Sequence, residues 1–153
     1  MKKTASAKSE EKIVRLMIPS TFGYEKIAMN AAAELAEIAG IPSDRSQDLC
    51  TATAEACINA MQHGNKMSPT TSVDILYYLK DNTLEIEIYD HGAGIQKHPP
   101  KPVLERKLSK KDAPRGWGIF LIENLVDQVE FGISSRHGHV TRLIMKLQPA
   151  EVV

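Results

Sequence analysis

The stretch from Val73 to Ile88 constrains the fold of this 153-residue chain more than any other. Val73, Ile75, Tyr77 and Leu79 share one face of a strand, Asp81-Asn82 supplies a turn, and Leu84, Ile86 and Ile88 return on the same face. The result is an antiparallel hairpin with one oily side, and a second layer must cover it.

The flanking segments supply that layer. Ile13 to Ile18 reads as a first strand, stopped by Pro19. From Tyr24 to Ala39 the period becomes helical, with Ile27, Ala31, Leu35 and Ile38 on one face and Gly40 and Pro42 as a stop. A second helix is expected from Ser46 to His63, ended by Gly64, and a third from Gly118 to Gln128. A last hairpin pairs Val129–Ser134 with Val140–Gln148 across the polar turn Arg136 to His139. The order β-α-α-β-β-loop-α-β-β gives an α+β, two-layer α/β sandwich with helices on one face of a mainly antiparallel sheet. Residues 1–11 read as a flexible N-terminus, 12–148 as one domain and 149–153 as a C-terminal tail.

Lys plus Arg and Asp plus Glu both number 19, so no long-range field draws the chain to nucleic acid or an anionic membrane. No apolar run approaches the roughly 20 residues of a membrane span, and the polar start lacks a secretory core, so a cytoplasmic location is expected. Cys50 and Cys57 fall about 10 Å apart at ~1.5 Å rise per helical residue, too far for a disulfide. They read as buried apolar side chains.

Three separated motifs carry chemistry. In the second helix Cys50, Ala54, Cys57, Ile58 and Met61 form an apolar stripe, with Asp48, Glu55, Asn59 and Gln62 on the opposite side. Such a face is ordinarily solvated. If it lines a cleft, the Asn59 amide can supply oxygen to a hard divalent cation while the Glu55 carboxylate, one turn away, deprotonates a hydroxyl or water. Asp90 continues the parity of Leu84, Ile86 and Ile88, which points it at the helix layer, where a charge needs a partner. The exocyclic amine of a purine is one such partner, and Gly92 and Gly94 allow close backbone approach; an ordinary turn after a strand is the competing reading. Gly116-Trp117-Gly118 leads into the third helix, whose free N–H groups can hold phosphate. The preceding segment, about 95–115, has Pro99, Pro100, Pro102 and Pro114 and seven basic residues against two acidic ones. It reads as a lid over polyphosphate. Thr141 shares the parity of Leu143, Met145 and Leu147 and can face the same pocket, whereas His137 and His139 fall in the predicted turn without a metal-ligand cluster.

Taken together, Glu55-Ala-x-x-Asn59-Ala-x-x-His63-Gly64, Asp90-x-Gly92-x-Gly94 and Gly116-x-Gly118 resemble the three ATP boxes of the Bergerat-fold, histidine-kinase-like ATPases. The nearest resemblance is to the bacterial anti-sigma-factor serine/threonine kinases, over about residues 12–148. It implies a mixed, mainly antiparallel sheet and the cofactors ATP and Mg2+. It makes Glu55 the general base, Asn59 the Mg2+ ligand and Asp90 the adenine ligand assisted by Thr141. Arg115 would approach the terminal phosphate, with His63, Gly92, Gly94, Gly116 and Gly118 around the nucleotide. The implied partners are an antagonist (anti-anti-sigma) protein and a sigma factor or other response regulator, in an arrangement compatible with a homodimer. An ATP-binding interaction module without kinase activity and a detached sensor-kinase ATP domain are the alternatives.

Overall fold

The computed structural model describes residues 10–80, 82–92, 114–134 and 138–147, with backbone alone for 114–117. In chain order the elements are β1 (Lys12–Pro19), α1 (Glu25–Ile38), α2 (Ser43–Asn59), a π-helical turn (Ala60–Gly64), β2 (Ser72–Lys80), β3 (Thr83–Asp90), α3 (Pro114–Leu125), β4 (Gln128–Ser134) and β5 (Gly138–Lys146).

The five strands form one open sheet in the order β1-β2-β3-β5-β4, and every pairing is antiparallel. The hairpin that anchored the sequence reading is present, with Ile75 opposite Ile88 and Tyr77 opposite Ile86. Its apolar face is buried along most of its length: Val73, Ile75, Leu84 and Ile86 are all 0% exposed, and Leu79 at the turn end is partly buried. Leu143 and Met145 of β5 extend that face, and the helices cover it. On the outer face Arg142 bridges Glu87 and Glu130 at 3.0 and 2.8 Å, and Tyr89 hydrogen-bonds the same Glu87. No helix among the described residues is long and apolar enough to cross a membrane.

The buried faces of two helices differ from those expected. In α1 the packed stripe is Ala28, Ala32 and Ala36, while Ile27 and Ile38 are 48% and 71% exposed. Alanine leaves no side-chain bulk, so α1 lies close on α2 and the sheet, and the Tyr77 hydroxyl reaches Ala28 O at 2.8 Å. In α2 the buried residues are Leu49, Ala52, Thr53, Ala56 and Cys57, with Cys50 only partly buried. α2 packs against α1 on one side and α3 on the other, with the sheet beneath. Glu55 and Asn59 lie at its seam with α3, whereas Gln47 and Thr51 are exposed.

Two helix boundaries also move. The second helix begins at Ser43 and ends its α-helical part at Asn59, and Asn65 N–H then bonds Ala60 O at 2.8 Å in the wider π-type turn. α3 begins at Pro114, so Gly116 and Gly118 lie inside its first turns and do not open it. Proline suits a first helical position because its φ is preset and its missing N–H is not needed there. α3 ends at Leu125. Asp127 then clips three elements together, accepting from Arg45 at 2.6 Å and from the Lys146 N–H at 2.7 Å. The expected tail, most of the N-terminal segment, Asp81 of the β2-β3 turn, residues 135–137 of the last turn and the expected lid of about 95–115, apart from the backbone of 114 and 115, lie outside the described residues.

Two measurements test this packing. Ala32→Leu should cost about 1–3 kcal/mol in urea unfolding through overpacking, whereas Ile38→Ala should stay within about 0.5 kcal/mol. Burial alone would raise the Asp127 carboxyl, but the hydrogen bonds from Arg45 and the Lys146 N–H hold it below its ordinary value. A depressed carboxylate contributes stability that is complete above its unfolded pKa, about 4, and lost as pH falls through the folded value. The stability gap between wild type and Asp127→Asn should therefore close as pH drops from about 5 towards 2.

Candidate functional site

The site forms where the C-terminal end of α2 meets the ends of β3 and β5. Asn59 ends α2, and the π-type turn carries the next residues toward the sheet. Gly64 in that turn approaches β3 so closely that a Cβ there would lie within 2.5 Å of both Asp90 carboxylate oxygens. Gly92 approaches Gly64 in the same way, since its Cβ would fall 2.6 Å from the Gly64 Cα and carbonyl oxygen. The glycine ending the first motif and the first glycine of the second motif thus make one tight contact, and any side chain would fill it.

Asp90 is 5% exposed and faces the helix layer, as its strand parity requires. Its Oδ1 accepts the Gly92 N–H at 2.8 Å, and its Oδ2 lies 3.3 Å from His139 Nδ1. His139 belongs to β5, directly opposite Asp90, because Gly138 takes a left-handed φ of +74° and the strand starts there. Its ring stacks on Phe131 with centroids 6.3 Å apart and planes 11° from parallel. Thr141 stands one inward position further along β5, opposite Ile88, and is 8% exposed.

One pocket joins these parts. Its polar lining is Asn59, His63, Asp90, His139 and Thr141, and its apolar lining includes Ile119, Ile122 and Phe131. Glu55 stands one turn before Asn59, and both face α3: a Cβ on Gly118 would sit 3.2 Å from the Asn59 amide and 3.3 Å from Glu55 Oε2. Gly118 thus sets the distance between α3 and the polar seam of α2. Asn59 contributes one amide oxygen at the pocket wall. That fits a Mg2+ ion completed by waters and phosphate oxygens, since Mg2+ normally keeps several waters and few protein ligands. Among the described residues no group of three His, Cys, Asp or Glu forms a self-sufficient metal cage.

The described residues therefore bring together Asn59, His63, Gly64, Asp90, Gly92 and Thr141, with Glu55 and Gly118 at the adjoining seam. Gly94 and the lid lie outside the described residues. Arg115 and Gly116 are placed by backbone in α3. Two residues escaped the sequence reading. His139 was assigned to a turn, although it falls in β5 with the inward parity of Thr141. Asn65 is 5% exposed, donates to Ser20 Oγ and Ser72 O at 3.0 and 2.9 Å, and accepts the His91 N–H at 2.8 Å. It ties the segment after Asp90 to the turn after Asn59.

Residues 18–145 match the histidine kinase-like ATPase domain family, and the chain belongs to that family. Its relatives include the serine-protein kinase RsbW of Bacillus licheniformis, 28% identical over 126 residues that cover 80% of this chain and 79% of the relative. RsbW of Listeria monocytogenes serotype 4b is 26% identical, with 76% and 77% covered. A crystal structure of the RsbU and RsbW domains of a Mycobacterium tuberculosis protein superposes with a TM-score of 0.62 at 18% identity. That match covers 93% of this chain, which spans 34% of the longer protein.

The glycine contacts give a direct test. Gly64→Ala should destabilise the fold by about 1–3 kcal/mol, because neither the Asp90 carboxylate nor the backbone can retreat freely. Gly132→Ala, whose Cβ would meet Val140 at an ordinary 3.5 Å, should cost less than about 1 kcal/mol in the same chemical denaturation series.

Proposed function

We propose that this chain is an ATP-dependent regulatory protein kinase, which transfers the γ-phosphoryl group of ATP to a Ser or Thr of an antagonist protein and also binds a sigma factor in the cytoplasm. The observation that carries the reading is the convergence of Asn59, Gly64 and Asp90 on one pocket, with Glu55 beside Asn59 at the seam with α3. Family membership supports nucleotide use, and the relatives, which are serine-protein kinases by name, support the direction of transfer.

In this reading the Asp90 carboxylate accepts a hydrogen bond from the adenine amine, and Ile119, Ile122 and Phe131 cover the apolar faces of the ring. Asn59 would hold Mg2+, which supplies charge neutralisation at the phosphates when bound. Glu55 lies one helical turn from Asn59, so it stands beside the phosphates and not beside the base. There it would accept the proton of the attacking hydroxyl, and Arg115, placed by backbone in the first turn of α3, would serve the terminal phosphate. Thr141 completes the base wall.

The reading predicts separable losses. Asn59→Ala should remove the Mg2+-dependent part of ATP affinity in calorimetry. Glu55→Gln should keep ATP affinity within a few fold yet slow phosphoryl transfer by about 10²–10⁴, the range for loss of a general base. Labelled ATP incubated with candidate antagonist proteins reads the transfer. Wild-type protein that binds an antagonist without phosphorylating it would overturn the kinase and favour the interaction module.

A further inference from the structure

Asp90 lies buried against a residue that the kinase reading does not use. His139 is 6% exposed, its Nδ1 is 3.3 Å from Asp90 Oδ2, and its ring is held flat against Phe131. The contact becomes a hydrogen bond to a carboxylate in the His139 tautomer that carries its proton on Nδ1. Both residues line the same pocket.

We propose that His139 is a positioning residue for nucleobase selection: it holds the Asp90 carboxylate in the orientation that accepts the 6-amino group of adenine. The inference rests on the nucleotide-binding reading of the same pocket. Three observations support it. The terminal torsion of an aspartate is broad and nearly two-fold, so a single hydrogen bond leaves the carboxylate loosely oriented. Asp90 has two tethers, the Gly92 N–H on Oδ1 and His139 on Oδ2, which together fix its plane. Each oxygen retains a lone pair, so both tethers are compatible with a third donor from a ligand.

The second tether is also built into rigid structure. Ladder register sets His139 opposite Asp90, and a Cβ on the preceding Gly138 would meet the Asp90 carbonyl oxygen at 2.9 Å. The imidazole lies nearly parallel to the Phe131 ring, with centroids 6.3 Å apart. The ring and Asp90 therefore move as one unit with the β3-β5 ladder. A base presenting a carbonyl oxygen at the 6-position would face an acceptor that cannot turn away, whereas an amine would find it already aligned. Fixing an acceptor before binding favours the matching donor because no ordering remains to be done.

The test uses the full chain and three ligands: ATP, purine riboside triphosphate, which lacks only the 6-amino group, and GTP. Wild type should bind ATP at least about tenfold more tightly than purine riboside triphosphate, the value of one hydrogen bond to a charged group. His139→Leu should shrink that preference to within about threefold while leaving purine riboside triphosphate affinity within about threefold, because only amine recognition is lost. His139→Asn, whose amide N–H can stand where Nδ1–H stands, should keep the preference. If the leucine variant does not fold, His139→Ala replaces it.

A retained ATP preference in the leucine or alanine variant would overturn the inference, and so would an asparagine variant that loses it. Asp90→Asn separates the two levels. If it leaves the ATP preference intact, the reading of Asp90 as the base acceptor fails. If it abolishes the preference while His139→Leu does not, that reading stands and only the role of His139 falls.

Discussion

The contact between Gly64 and Asp90 is the constraint on which the rest of the site depends. A helix end and a strand end meet there with no side chain between them. The cost of burying a carboxylate is several kcal/mol unless hydrogen bonds compensate it, and the Gly92 N–H and His139 supply them. Neither contact would form if α2 stopped short or continued as a regular helix. The π-type turn supplies the extra width, and Asn65 secures its exit by bonding Ser20, Ser72 and the His91 N–H. One end of the sheet, the end of α2 and the His91-Gly92 turn are thereby fixed relative to one another.

The packing of the helices serves the same end. The alanine stripe of α1 leaves α2 room to lie low over the sheet, and Gly118 lets α3 close on the other side of α2. Glu55 and Asn59 consequently occupy a narrow half-buried seam. A solvated polar face would give a carboxylate and an amide without fixed positions; a seam restricts their rotamers, and catalytic geometry needs that restriction.

Legibility in the sequence followed the kind of signal each element carried. The β2-β3 hairpin was readable because a period of two with large aliphatic side chains has no helical counterpart, and Asp90 followed from the same parity. The α1 face was misread because its packed residues are alanines, which rank below Ile27 and Ile38 in hydrophobicity though they fit the interface better. Gly64 and Gly118 act by permitting contact between elements, which no local pattern displays. Pairing β3 with β5 brings His139 to Asp90 across 49 residues, and Asn65 reaches Ser20 across 45. Such separations lie beyond any periodicity.

The placement of charge also bears on what the pocket can distinguish. Asp90 and His139 sit at the deep end among Ile119, Ile122 and Phe131, whereas Glu55 and Asn59 lie toward the α2-α3 seam. In the proposed function, recognition of a base and handling of phosphate would therefore fall to different ends of one cleft, built from different elements. A low-dielectric wall around the deep end strengthens the few hydrogen bonds made there and penalises any donor or acceptor left unmatched. The seam, closer to solvent, tolerates the waters that a hard cation retains. Selectivity and chemistry can then vary independently, because a substitution in the β3-β5 ladder changes what enters without moving the groups that would act upon it.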